Sequence, residues 1–408
     1  DKKGLLDLVR WNELAVAGSR FKLYGFLRLD AIYDDSRPNN TQVIAWVRSE
    51  DPEAISRFRA DPTVFGGVNP ERFANRENQD DLTIHPRLTR LGIDFDGPVV
   101  RPLGEAKVTG KLEIDFYNNG LLGQAESRAA IRMRHAYLKL AWGGLSLLAG
   151  QTSDVISPTF PVVNPDLVMW GAGNLGDRRP QLRPEYIRTL GPGQVILQGE
   201  VGLSGADDNQ DLDSPNTFGS GIRDGEASGL PTLQGRVAYR LTHAERRDLE
   251  VGLWAHRAWE ETDTRFDRET HFDSTAYGLD ATLPLYRKLL WLKGEGWYGE
   301  NVDDVRGGIF QGINTTTGDE IISRGGFAEM GFQALSWYQV SIGYSTDDPE
   351  NSDAGSGGRA ANRIAYFSNR WFFDPIEIGL DYLYWKTDFV RFDSGDDNRF
   401  QAYISYKF

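Results

Sequence analysis

The sequence predicts an all-β, membrane-spanning antiparallel barrel of about sixteen strands, within a range of fourteen to eighteen. Three observations carry that expectation: period-two alternation in segments of about ten residues, regular exchange of short and long connections, and a chain that ends on an aromatic residue. No stretch of the 408 residues nears the roughly 18 consecutive apolar residues a spanning helix requires. A spanning strand needs apolar residues only on its lipid face, so its mean hydropathy resembles that of a water-soluble chain.

The segment Lys107 to Tyr117 shows the alternation most plainly. Val108, Gly110, Leu112, Ile114 and Phe116 share one face; Lys107, Thr109, Lys111, Glu113 and Asp115 share the other. A charged face of that kind suits a wet lumen enclosed by a wide barrel. Leu27, Leu29, Ala31 and Tyr33 oppose Arg28 and Asp30 in the same way, and Gly235, Val237 and Tyr239 oppose Gln234, Arg236 and Arg240. Comparable segments recur through Arg399 to Phe408.

Between strands, tight links such as Ala141 to Gly144, Gly191 to Gly193 and Pro284 to Arg287 carry turn-forming residues. They alternate with long polar stretches: Asp35 to Asp80, Asn118 to Ala130, Ser153 to Pro180, Ser204 to Pro231, Glu260 to Phe272, Asn301 to Ser323, Thr346 to Ala361 and Asp388 to Asp397. Short turns at one rim and long loops at the other describe bacterial outer-membrane barrels. Residues 21–408 read as one barrel domain. In residues 1–20, Leu5, Leu6, Leu8, Val9, Trp11 and Leu14 suit a short amphipathic periplasmic helix, a tag remnant or the stub of a longer extension equally well.

Composition agrees. There are 11 Trp, 16 Tyr, 21 Phe and 45 Gly, which suit strands and interfacial girdles. The absence of cysteine excludes thiolate metal sites and disulfides, and a net charge of −14 argues against a nucleic-acid partner. The histidines at 85, 135, 243, 256 and 271 have no metal-ligand spacing, and no nucleophile elbow or phosphate loop occurs, so no enzymatic role and no cofactor are expected. His256 and Ser274 fall on strands expected to be adjacent, both facing inward.

The chain closes on Tyr-Ile-Ser-Tyr-Lys-Phe, with Tyr406 aligned with Ile404 and Ala402. Tyr406 and Phe408 resemble the terminal-aromatic signal that delivers such proteins to the barrel-insertion machinery. A candidate Ca²⁺ site is the every-second-residue series Asp207, Asn209, Asp211 and Asp213, which lacks the central Gly and closing Glu of an EF-hand; a solvated polar loop is the competing reading. Divalent ions could also bridge acidic loops to lipopolysaccharide phosphates.

Several stretches resemble the DcaP-like outer-membrane porins and, more distantly, the phosphate-selective porins. They are Gly-Phe-Leu-Arg-Leu-Asp-Ala-Ile-Tyr-Asp at Gly25 to Asp34, Thr-Arg-Leu-Gly-Ile-Asp at Thr89 to Asp94 and Gly-Lys-Leu-Glu-Ile-Asp-Phe-Tyr at Gly110 to Tyr117. Arg-Met-Arg-His-Ala-Tyr at Arg132 to Tyr137, Ala-Gly-Gln-Thr at Ala149 to Thr152 and Arg-Arg-Pro-Gln at Arg178 to Gln181 continue the series. The resemblance covers the first half of the chain by motif and the second half by pattern alone. It implies a homotrimer of sixteen-stranded barrels in the bacterial outer membrane, a third loop (about 153–180) folded into the lumen as a constriction, and passage of small anionic solutes.

On that basis the pore lining should include Arg28, Arg90, Lys111, Glu113, Asp115, Arg178, Arg179 and Arg183, where charged rings select ions by their local field. Arg134 turns outward under strict alternation from Ala136 and Leu138, unless a bulge intervenes. Each of these arginines has a competing reading as a wall residue paired with Asp30, Asp94, Glu113 or Asp115. The expected function is passive diffusion of small polar or anionic solutes. The alternatives are a substrate-specific or gated channel for organic acids or phosphate, and a non-conducting barrel serving as adhesin or scaffold.

Overall fold

The computed structural model describes residues 7–10, 12–16, 18–64, 69–70, 80–117, 128–163, 168–205, 224–243, 247–266 and 269–408, with no account of side chains at 7–10 and 263–266. Nineteen strands form one antiparallel sheet that closes on itself. They are β1 (Asp7–Arg10), β2 (Glu13–Val16), β3 (Ser19–Asp34), β4 (Asp81–His85), β5 (Arg90–Asp96), β6 (Lys107–Tyr117), β7 (Ala130–Trp142), β8 (Leu145–Ser153), β9 (Arg178–Leu190) and β10 (Gly193–Gly202). The series continues with β11 (Thr232–Leu241), β12 (Leu249–Phe266), β13 (Glu269–Tyr286), β14 (Leu290–Glu300), β15 (Ile322–Leu335), β16 (Tyr338–Pro349), β17 (Arg359–Phe373), β18 (Ile376–Phe389) and β19 (Phe392–Lys407).

The cylinder has sixteen staves, as the alternation predicts. The strands β4 and β5 share one stave, because both pair with β3, at Asp30–Asp34 and at Arg20–Phe26 respectively. Pro86, which has no amide hydrogen to donate, lies in the break between them. Closure comes from β19 on β3, with Ala402 opposite Ala31 and Ile404 opposite Leu29. Backbone bonds exchanged between Phe408 and Gly25, at 3.1 and 3.2 Å, finish the seam.

The N-terminal segment departs from the helical expectation. There β1 pairs with β2, and β2 pairs with Ser19–Lys22 of β3, the part of β3 that runs past the end of β19. An edge left open by the length mismatch offers unpaired N–H and C=O groups, and pairing them outweighs the weak helical periodicity. A second departure concerns the expected loop Glu260 to Phe272. Strands β12 and β13 pair through it up to Phe266 opposite Glu269. Above the hydrocarbon both strand faces can be polar, so alternation disappears while the ladder continues.

Burial confirms which face meets lipid. Leu112 on β6 is 46% exposed while its neighbour Glu113 is 6% exposed, a difference only an inward charged face explains. Outward aromatics pack in pairs across strands: Trp337 with Phe373 at 5.9 Å near one rim, Tyr277 with Tyr298 at 5.5 Å and Tyr382 with Phe400 at 5.1 Å toward the other. Several inward aromatics lie flat over a glycine of the next strand; a Cβ at Gly343 would overlap the Tyr366 ring, and one at Gly331 the Trp291 ring. Part of the high glycine content is thereby explained.

Loops, not a second protein layer, build the cores. Ile44 and Val47 from the first loop meet Val163, Met169 and Ala172 from the third loop over Ile364, Tyr366, Leu383 and Trp385 of the inner wall. Val302 and Val305 of the sixth loop join Val155, Ile156 and Leu175 over Trp254, Ala276 and Trp297. The first loop also carries the helix α1 (Pro52–Ala60), capped by Asp51, whose Oδ1 accepts from the Ala54 amide at 2.7 Å.

Candidate functional site

The third loop leaves the wall between β8 and β9 and crosses to the opposite staves. Its anchors come from side chains that alternation points inward. Lys293 Nζ on β14 donates to the Phe160 carbonyl at 2.6 Å. The Val162 amide donates to Glu329 Oε2 on β15 at 2.6 Å, and Arg370 on β17 donates to the Val162 carbonyl. Trp297 Nε1 reaches the Gly173 carbonyl at 2.7 Å, Asn362 Nδ2 the Gly171 carbonyl at 2.7 Å, and Ser345 the Ala172 carbonyl. The bonds to Gly171, Ala172 and Gly173 satisfy loop carbonyls that would otherwise be buried without a partner.

The crossing leaves a cavity of about 360 Å³ against the β3–β9 wall, lined by Phe26, Arg28, Arg90, Arg134, His135 and Arg178 among others. Arg134 reaches it through a bulge: Glu113 pairs with His135 and Ile114 with Met133, so Arg134 is the extra residue on β7. The cause is legible locally. Met133 and Ala136 stand three apart and both belong to the outward row, so one residue must be absorbed between them. As a result Arg132, Arg134 and His135 all serve the inner side, where a regular strand would present alternate residues only.

Carboxylates behind the cavity hold the guanidiniums in place. Asp115, fully buried, accepts from Arg132 Nε at 2.7 Å and Arg134 Nη1 at 2.9 Å, with Arg90 at 3.9 Å. Glu113 accepts from Arg134 Nε at 2.7 Å and lies 3.5 Å from Arg90. Arg28 is bonded to Asp30 at 3.0 Å and stacks on the Tyr403 ring at 3.6 Å. Arg178 and Arg306 both approach the Trp170 ring, at 5.4 and 4.5 Å. Five guanidiniums, those of Arg28, Arg90, Arg132, Arg134 and Arg178, thus stand against three carboxylates, Asp30, Glu113 and Asp115. The excess positive charge lies beside water and low-dielectric walls, which concentrate its field.

Other arginines of the expected lining lie elsewhere. Arg179 is fully buried, bonded to Asp154 at 2.8 and 3.1 Å and to the Leu203 and Asp304 carbonyls. It fastens the roots of the third, fourth and sixth loops rather than facing the cavity. Arg183 is taken up by the Ser153 carbonyl, Gln181 at 2.9 Å and Glu200 at 3.5 Å. Lys111 binds Asp94 at 2.8 Å and the Tyr24 hydroxyl at 2.8 Å, apart from the cavity lining. Of these three, Lys111 meets Asp94, one of the carboxylates named for wall pairing, whereas Arg179 and Arg183 pair with Asp154 and Glu200 instead. In the cavity wall Arg28 and Arg90 also meet named carboxylates, Asp30, Glu113 and Asp115. The series Asp207, Asn209, Asp211 and Asp213 lies outside the described residues.

Sequence reading missed Phe160, Trp170 and Lys293, whose roles come from the path of the loop and not from any strand pattern. His256 Nε2 does stand 3.2 Å from Ser274 Oγ, on the buried inner wall. Its other ring nitrogen faces Thr232 and Gln234 at 3.4 Å instead of a carboxylate, an arrangement that lacks the orienting acid of a hydrolase triad.

No family model matches the sequence, and no curated relative does. Among solved structures, the outer membrane channel DcaP of Acinetobacter baumannii matches with a TM-score of 0.71 at 19% identity, covering 97% of this chain and 99% of that one. This chain has the DcaP barrel fold. The anion-selective porin of Comamonas acidovorans aligns over 96% of this chain and 100% of its own, with a TM-score of 0.56 at 12% identity. OmpT of Vibrio cholerae, in a trimer form, aligns over 96% and 100% with a TM-score of 0.53 at 11% identity.

Proposed function

We propose that the chain is a passive diffusion channel of the bacterial outer membrane that admits small polar solutes and favours anions. One observation carries the reading: the third loop narrows the lumen beside a cavity where guanidiniums outnumber carboxylates. A sixteen-stave barrel is wide enough to leave an aqueous path. Anion preference then follows from the field of Arg28, Arg90, Arg134 and Arg178 around the cavity beside the third loop. The fold shared with DcaP and with an anion-selective porin supports the same reading.

Assembly as a homotrimer belongs to this proposal, supported by the trimeric form of the similar OmpT. Tyr406, 48% exposed on the lipid face, and Phe408 retain their proposed role as the address for barrel insertion.

The test is reconstitution into planar bilayers with a KCl gradient across the membrane. Open channels whose reversal potential lies on the chloride side support the proposal. Inserted protein that never conducts refutes it and leaves the adhesin or scaffold reading standing.

A further inference from the structure

Resting on the channel reading, we infer that Phe160 sets the size limit of the channel, as a fixed apolar partition between two cavities of the lumen. The basic cavity of about 360 Å³ lies on the β3–β9 side. A second cavity of about 650 Å³ lies against the opposite staves, where Arg240, Glu250, Asp280, Trp291 and Lys293 line it. Among the described residues, Phe160 is the one that lines both. It is 38% exposed, so its ring borders open space on a loop that is otherwise largely enclosed.

The backbone on either side of the ring is held. Lys293 binds the Phe160 carbonyl and itself pairs with Glu329 at 3.2 Å. Glu329 binds the Val162 amide, and Arg370, bonded to Asp381, binds the Val162 carbonyl. Those four wall residues, on β14, β15, β17 and β18, fix the loop tip. A ring on such a tether is a stationary obstacle rather than a swinging lid, because moving it would strand several buried polar groups at once.

The partition and the charge filter are therefore separate devices. Arginines set which sign passes; the ring sets how large a solute passes. Single-channel conductance, reversal potential and liposome swelling with neutral sugars of increasing size read the two apart.

Phe160→Ala should raise conductance roughly twofold and admit larger sugars, because it widens the constriction without altering its charge. Its reversal potential should match that of the unaltered protein, which also shows that the barrel is assembled. Phe160→Trp should lower conductance and tighten the sugar limit. Conductance and sugar limit unchanged in both variants, while the unaltered protein conducts, would overturn the inference and leave the channel reading intact. An unaltered protein that does not conduct would remove both.

Discussion

Two halves of one cylinder are built on opposite rules. Along β3–β9 the inner wall carries Arg28, Arg90, Glu113, Asp115, Arg132 and Arg134, and it borders the basic cavity. Along β12–β18 the inner wall carries Trp254, Trp297, Ile364, Leu383 and Trp385, all buried under loops. Open space consequently lies on both sides of the third loop, the smaller basic cavity against β3–β9 and the larger one against β11–β16, while loops cover the apolar stretches of the wall. An inward-facing position is not a wet position in this barrel: what the facing loop brings decides.

The largest way to break that division is to remove its seat. Trp385 is fully buried, its indole Nε1 3.3 Å from Asn362, the same side chain that holds the Ala45 and Gly171 carbonyls of the first and third loops. Trp385→Ala should cost about 3 to 5 kcal/mol by cavity formation, read as a shift in the denaturant midpoint in detergent. It should also expose both loops to protease. A variant with native stability and native resistance would mean that the apolar half is not a core.

Next comes the polar half. Asp115→Asn removes the charge that Arg132 and Arg134 share and should cost about 3 kcal/mol, because a buried pair is broken on one side only. Anion preference should rise in the same variant, since the retained guanidiniums lose a counter-charge. Loss of anion preference would show that Asp115 acts on the lumen in some other way.

Arg178→Ala should lower the anion-to-cation permeability ratio by about a factor of two to ten. Arg134→Ala should lower it too, with a loss of stability because Glu113 and Asp115 are left short of a partner. Because the field acts across water, the ratio should also fall as salt rises from about 0.1 to 1 M, where screening shortens from roughly 10 to 3 Å. A ratio indifferent to both changes would place the filter elsewhere.

The smallest effect contrasts two glycines of the wall. Gly343→Ala meets the Tyr366 ring, whereas Gly296→Ala meets nothing within 4 Å. The first should destabilise by about 1 to 3 kcal/mol through overpacking and the second far less. Equal effects at the two sites would show that the flat seating of Tyr366 does not matter to the wall.

Much of the fold was legible because lipid imposes a strict rule on alternate residues. Val108, Leu112 and Ile114 declare the outer face of β6 without reference to anything distant, and the three-residue step from Met133 to Ala136 even announces the bulge. The basic wall was half legible. Arg28, Arg90 and Arg178 do line the cavity, while Arg179 and Arg183, which the sequence did not distinguish from them, lie elsewhere. Arg178, Arg179 and Arg183 of β9 follow one another closely in sequence, and only the positions of Asp154, Glu200 and Gln181 divide fasteners from lining.

The sequence by itself determined an antiparallel barrel of about sixteen staves, its lipid face and its rims, because those follow from local periodicity and turn chemistry. Tertiary structure alone decided how the loops divide the lumen, where the loop tip stands and why Phe160 rather than an arginine lines both cavities. Those outcomes depend on bonds between a loop and wall residues more than a hundred positions away, such as Lys293 with the Phe160 carbonyl. No short-range pattern records a meeting of that kind.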